Sequence, residues 1–265
     1  MRAVDGVSLE LRHGDRLAVI GESGSGKSTL LRLILGVEAP DTGTVSFDGR
    51  AIHAGSDLKW LRRRMQFVPQ DPSTTLNPRM TVLQAVCEPL RCLRIDVDHR
   101  QRAYECLDVV GLSAAHAKRR PAQLSGGQRQ RVAIARALSV DPDVIVADEA
   151  VSDLDASVRQ TVLDGLLKGC AEMNLALLLV THDLGVAYYT CDSIVVLDKG
   201  RVVDAGETRS VLRAPQSAIT SRLVAAVPRL PHAHTPASTL LATEQTAPTN
   251  HPTNTPTRST SKEPT

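Results

Sequence analysis

Two stretches of this sequence have the residue types that meet phosphate. "GESGSGKST", residues 21–29, fits G-x-x-x-x-G-K-[ST] through Gly21, Gly26, Lys27 and Ser28. Glycine lets a backbone curl round an anion and present its N–H groups. In this pattern the lysine ammonium reaches the β- and γ-phosphates of a nucleotide and the serine hydroxyl ligates Mg²⁺. The second stretch, "QLSGGQRQRVAIARAL" at 123–138, places Ser125, Gly126 and Gly127 where a long helix opens. A helix N-terminus favours an anion. A third stretch supplies acid, because "VIVADE" runs apolar residues into Asp148 and Glu149 at a strand end. Asp148 is placed to hold Mg²⁺ through water, and Glu149 to orient or deprotonate an attacking water. Each motif alone has a plainer reading, an ordinary glycine-rich turn or a strand that merely ends in two acids. One chain holding all three is harder to dismiss.

The elements around them read as strand, loop and helix in alternation. "RLAVI" at 16–20 is a short apolar run that ends in the first glycine loop. "KSTLLRLIL" follows with helical spacing, and Gly36 fits a C-cap. "DVIVADE" at 143–149, "LALLLVTHD" at 175–183 and "SIVVLDKG" at 193–200 read as buried strands, the first two separated by a helix at 156–170. That alternation predicts a mostly parallel sheet with crossover helices, and "LDKGRVV" predicts a hairpin closing its edge. "GTVSFDGR" at 43–50 alternates like one exposed antiparallel strand, and "MQFVPQ" at 65–70 like another strand. Residues 81–118 carry mostly helical patterns, and a third helix is expected over 128–139.

Composition narrows the function classes. Of 265 residues, 42% are hydrophobic and 23% charged, the balance of a globular protein with a sizeable core. Aromatics are only 2%, which leaves almost nothing for stacking nucleic-acid bases. Net charge is +2, so Arg62-Arg63-Arg64 and Lys118-Arg119-Arg120 read as local surface rather than a nucleic-acid footprint. The five cysteines, Cys87, Cys92, Cys106, Cys170 and Cys191, form no CxxC pair; a reducing compartment fits better than disulfides or a zinc knuckle. The longest apolar run, "LALLLV", is too short to span a bilayer, so another chain would have to bring this one to a membrane. From 231 the sequence is dominated by Thr and Pro and is expected to be a disordered tail over 231–265. His232, His234 and His251 in it invite a metal reading, but a solvated tail accounts for them.

"LSGGQ" at 124–128 resembles the signature sequence of ATP-binding-cassette (ABC) ATPases, and the resemblance extends over most of the chain. "VPQDP" puts Gln70 at the family's Q-loop, "SDLD" puts Asp153 and Asp155 in its D-loop, and His182 stands at its switch histidine. The resemblance implies an α/β fold of the P-loop NTPase kind: an ABC ATPase domain over 1–230, with a helical subdomain at about 72–138. It implies ATP and Mg²⁺ as ligands. ATP would be held by Gly21, Glu22, Ser23, Gly24, Ser25, Gly26, Lys27, Ser28, Thr29 and Gln70, with Mg²⁺ at Ser28, Gln70 and Asp148. Glu149 and His182 would be the catalytic pair. It also explains two phosphate readers in one chain. Two such domains pack head to tail, and Ser125, Gly126, Gly127 and Gln128 of each address the ATP held by the other.

Only 54 residues separate Gln70 from Ser125, too few for the long coiled coils of chromosome and DNA-repair ABC ATPases. The finer resemblance is to ATP-binding subunits of peptide/nickel importers. It is carried by "AVDGVSLELRHGDRLAVIGESGSGKSTL", "FVPQDPSTTLNPRMTV", "THDLGVAYYTCDSIVVLDKGRVVDAGET" and "SRLVAAVPRL". It implies work at the cytoplasmic face of the cell membrane, as a peripheral subunit beside two transmembrane permeases, a second ATP-binding subunit and, indirectly, an extracytoplasmic solute-binding protein. Residues 71–81 would transmit motion to a permease, and no nucleic-acid partner is expected. Four departures from the family stand out. Only Met1-Arg2 precede "AVDGVS", where the adenine-stacking aromatic should lie upstream, so either a truncated chain or a start placed too late is expected, and with it a weakened hold on the base. Ala150 replaces a proline, and the Thr/Pro tail replaces a cysteine-bearing extension. Asp153 replaces an alanine, where repulsion from phosphate at roughly 4 Å would amount to ~1 kcal/mol in water and several in a drier interface. Two alternatives remain: a degenerate subunit that binds ATP and supports a competent partner, and a soluble ABC ATPase acting on nucleic acid.

Overall fold

The computed structural model describes residues 2–226. The Thr/Pro tail expected at 231–265, with its three histidines, lies outside the described residues. At the centre is a six-stranded sheet in the order β4-β5-β6-β1-β7-β8. Its strands are β1 (Arg16–Ile20), β4 (Met65–Val68), β5 (Val144–Asp148), β6 (Ala176–Thr181), β7 (Ser193–Asp198) and β8 (Arg201–Glu207). The first five run parallel, and only β8 pairs antiparallel, as the edge hairpin with β7. Its turn uses two left-handed residues, Lys199 at φ 47° and Gly200 at φ 82°.

The strands read as continuous apolar runs because both faces of the sheet are covered. Successive side chains alternate between two cores. Ala18, Ile20, Ile145, Ala147, Leu177 and Leu179 face one side. They pack with residues of helices α3 (Val82–Cys92), α4 (His99–Val109), α5 (Gly126–Leu138) and α6 (Ala156–Glu172). Leu17, Val19, Val144, Val146, Leu178 and Val180 face the other, against α1 (Lys27–Ile34) and α2 (Lys59–Arg64). With 2% aromatics, this interior is aliphatic, as composition required. Gly36 ends α1 as expected. It sits at φ 65° and its N–H donates to Leu33 O, while Val37 donates to Arg32 O, a Schellman closure.

One element differs from the sequence reading. "GTVSFDGR" is not a single strand but the tip of a hairpin, β2 (Ser46–Phe47) with β3 (Arg50–Ala51). The "DG" inside it is the turn: Asp48 at φ 51° and Gly49 at φ 72° adopt the left-handed pair that a two-residue hairpin needs. Helix α5 also begins two residues earlier than expected, at Gly126, because Ser125 caps it. Three short helices complete the described chain, α7 (Leu184–Thr190), α8 (Thr208–Arg213) and α9 (Ala218–Ala226). The last is tied back to β8 by buried Asp204, which accepts from Gln216 N, Ser217 N and Thr220 Oγ1.

All five cysteines are free, and four are buried. Burial pushes the thiols of Cys106 and Cys170 up to about 11 and that of Cys191 to about 12, so they stay protonated and unreactive at neutral pH. A thiol titration of the native full chain should therefore count one fast group, Cys92, and all five in denaturant; a Cys92→Ser variant should show none until it unfolds.

Candidate active site

Four parallel strands end side by side, and each delivers a loop to one cleft. From β1 comes the glycine loop, from β4 Gln70, from β5 Asp148 and Glu149, and from β6 His182. The cleft encloses about 430 Å³ and is lined by these side chains together with Ser23, Gly24, Gly26, Ser28 and Thr29. A crevice at the carboxyl ends of parallel strands is where open α/β sheets bind ligands.

Lys27 begins α1 and is almost wholly buried. Its Nζ donates to Gly21 O at 2.6 Å and Glu22 O at 3.0 Å, so the loop wraps round the ammonium. One of its three hydrogens is left for a ligand. Burial holds the Lys27 pKa below its usual value, with Glu149 and Asp148 opposing. Burial likewise raises the Asp148 carboxyl, with the Glu149 charge adding to the rise and Lys27 opposing it. Two of the glycines answer to the protein as well as to a ligand. A Cβ on Gly21 would lie 2.4 Å from Leu197 O, and one on Gly26, at φ 107°, 2.3 Å from Ala3 O. Ser25 O accepts from Gly200 N at 2.9 Å, which pins the loop to the β7–β8 turn. Glu22 faces Arg222 of α9 at 3.6 Å.

This chemistry fits a nucleoside triphosphate with Mg²⁺. The desolvated ammonium is incompletely compensated, and a buried Ser25 Oγ has no partner among the described residues. Among the described residues no group of three or more His, Cys, Asp or Glu side chains can hold a metal alone. An ion at Ser28 and Asp148 would complete its shell from phosphate and water, which is how Mg²⁺ is commonly bound. Gln70 donates its amide nitrogen to Ser152 Oγ at 3.3 Å, leaving its oxygen to meet a cation.

Glu149 has a left-handed backbone at φ 43°, strained for a non-glycine residue. Its N–H donates to Val180 O at 2.8 Å, and its carbonyl accepts from Ser152 N and Ser152 Oγ, each at 3.1 Å. These bonds hold the strain and turn Glu149 Oε1 to within 3.1 Å of His182 Nδ1. A carboxylate only accepts, so the proton in that contact lies on Nδ1. Nothing in the sequence pattern signalled the strained backbone.

The turn expected to be the second phosphate reader lies elsewhere. Ser125 caps α5 in a reciprocal box: Gln128 N donates to Ser125 Oγ at 3.3 Å, and Ser125 N to Gln128 Oε1 at 3.1 Å. Neither Ser125, Gly126, Gly127 and Gln128 nor Asp153 and Asp155 belong to the lining of the Lys27 cleft. Asp153 and Asp155 are exposed.

The family description "ABC transporter" matches residues 4–152, more than half of this sequence. The chain belongs to the ABC transporter family. Among named relatives of this ABC chain is the oligopeptide transport ATP-binding protein OppD of Mycobacterium tuberculosis. It is 41% identical over 232 residues, 86% of this chain but 38% of the relative, so the chain spans well under half of that protein. The dipeptide transport ATP-binding protein DppF of Escherichia coli is 41% identical over 235 residues, 87% of this chain and 70% of the relative. Among solved structures, a dimeric post-hydrolysis ATP-binding cassette bound to ADP and Pi matches with TM-score 0.69 and 35% identity. That match covers 78% of this chain and 91% of the other.

Several residues that build this ABC site were not singled out from sequence. Gln130, buried in α5, donates to Pro69 O at 3.0 Å and fixes the approach to Gln70. Ser152, the first residue of "SDLD", bridges Gln70 and the Glu149 carbonyl. The two signature glycines also separate. A Cβ on Gly127 would lie 2.1 Å from Val158 Cγ1 of α6, whereas one on Gly126 meets nothing closer than Leu154 Cδ2 at 3.5 Å. Gly127→Ala should cost about 1–3 kcal/mol of stability through overpacking, recovered in part by Val158→Ala, while Gly126→Ala should melt like the parent; urea unfolding of the full-length variants checks this.

Proposed function

We propose that this chain is the ATP-binding and ATP-hydrolysing subunit of an importer for peptide-like or nickel-type solutes. In this reading it works as a peripheral protein at the cytoplasmic face of the membrane. Among the described residues no helix is long and apolar enough to cross a membrane, so the reading gives the path to transmembrane permease subunits. A second ATP-binding subunit completes the motor, and an extracytoplasmic solute-binding protein delivers cargo. The relatives' names, oligopeptide and dipeptide transport ATP-binding proteins, support the peptide part of that cargo class.

The observation that carries the reading is the Glu149–His182 contact at the mouth of the Lys27 cleft. Bound Mg²⁺ would polarise the terminal phosphate. Lys27 neutralises charge, Ser28 and Asp148 hold the cation, and Glu149 accepts a proton from water. His182 holds Glu149 in line through Nδ1. Ser125 and the free N–H groups at the start of α5 turn to a phosphate on the facing subunit. The position of the signature turn outside the lining of its own chain's cleft supports that separation of labour. Residues 71–81, fixed by the Asp71 carboxylate on Ser73 and by the capped start of α3 at Thr81, form the surface offered to a permease. Glu149→Gln in the assembled transporter should lower ATP turnover about 10²- to 10⁴-fold with nucleotide binding retained. Uptake of labelled dipeptide, longer peptides and nickel by the same assembly then assigns the cargo. Undiminished turnover in Glu149→Gln would remove the catalytic assignment.

A further inference from the structure

His182 stands in the site with little packing to orient it. Its side chain is 58% exposed, against 19% for Glu149. Its position is therefore set by the backbone that carries it, and that backbone is anchored at the next residue. Asp183 uses one carboxylate oxygen for its own helix, accepting from Gly185 N at 2.8 Å and Val186 N at 3.2 Å. The other oxygen accepts from Arg159 Nη1 at 2.6 Å. Arg159 lies in the first turn of α6, and its Nη2 donates to Leu154 O at 3.4 Å, inside "SDLD". Its Nε is buried without an acceptor among the described residues, so the two Nη contacts set the guanidinium's geometry.

We infer that Arg159 is a positioning residue for hydrolysis: it clamps the "SDLD" loop to the segment that carries His182, and so fixes His182 against Glu149. The inference rests on the proposed hydrolytic reading. The other end of the same loop is already tied to Glu149 through Ser152 and to Gln70. Residues 149–155 thus form a loop whose two ends both reach the catalytic pair, one through Ser152 and one through Arg159. Charge-assisted bonds such as the Arg159–Asp183 pair are stronger and more directional than neutral ones. Neighbouring Val158 packs against Gly127, so the same turn of α6 also touches the signature. An arginine four residues after Asp155 gives no local reason to be there; its partners lie 24 residues later and five earlier.

The test uses the full chain labelled at histidine, without nucleotide, with the His182 ring resonances assigned by His182→Ala. Arg159→Ala should move or broaden the His182 signals and leave His13, His53 and His99 in place. In the assembled transporter the same variant should lower kcat about tenfold with KM for ATP within about twofold, and Arg159→Lys should recover part of the loss. Asp183→Asn keeps a helix-capping oxygen and removes the charge that Arg159 grips, so it should repeat both effects even if Arg159→Ala folds poorly. Unmoved His182 resonances in both variants, or a loss confined to KM, would overturn the assignment. The ring spectrum needs no turnover, and Glu149→Gln is measured alongside. Full turnover in that control sinks the hydrolytic reading, whereas a dead control with an active, spectrally unchanged Arg159→Ala sinks only the clamp.

Discussion

The register of three parallel strand pairs holds the site together. Ile20 lies opposite Thr181, Asp148 opposite Val180 and Val68 opposite Ala147. With those rungs aligned, the glycine loop, Gln70, the acids and His182 all leave the sheet at the carboxyl ends of adjacent strands. Side chains alternate faces along a strand, so a slip of one residue would exchange the two cores and carry Asp148 away from Lys27. Burial on both faces makes such a slip expensive: Ala18, Val19, Ile145, Val146, Leu177 and Leu179 are all fully buried. Stability of the sheet and placement of the chemistry are therefore one constraint.

Charge in the cleft follows from that placement. Lys27, Asp148 and Glu149 are brought close in a desolvated place, where burial disfavours the ammonium and the Asp148 carboxylate alike. Each charge is sustained partly by the other. A polyanion alone would add negative charge beside two carboxylates, and a divalent cation alone would find too few ligands. The two together satisfy both sides, which is the physical reason the residues fit a metal-bound triphosphate rather than either part.

Much of this was legible in the residues because it is local. A glycine loop between an apolar run and a helix declares itself, as do two acids ending a strand and a serine before a helix start. The buried runs gave the parallel sheet and its antiparallel edge. What escaped was set by distant partners or by turn geometry. "DG" in "GTVSFDGR" is compatible with alternation and with a hairpin, and only the left-handed pair at Asp48 and Gly49 decides. Gly127 has a second reason to be glycine that its motif does not show, Val158, 31 residues away and packed against it. Gln130 and Arg159 look like ordinary helix residues, since the carbonyls and carboxylate they satisfy are brought near only by the fold.

The strained backbone at Glu149 ties these points together. A left-handed non-glycine residue costs on the order of 1–3 kcal/mol, and a strand that continued straight past Asp148 would avoid it. Continuing straight would also send the Glu149 side chain to the opposite sheet face from Asp148. The Glu149 N–H still makes the next rung of the β5–β6 ladder, to Val180 O two residues before His182, and φ of 43° turns the chain out of the strand beyond it. The bend therefore brings an acid from one strand to a histidine from the next. The bonds from Ser152 to the Glu149 carbonyl oppose any relaxation of that bend. Ala150 and Val151, both buried in the interval, leave the segment little room to unwind. The sheet's apolar burial offsets that strain, and the Glu149–His182 contact depends on it.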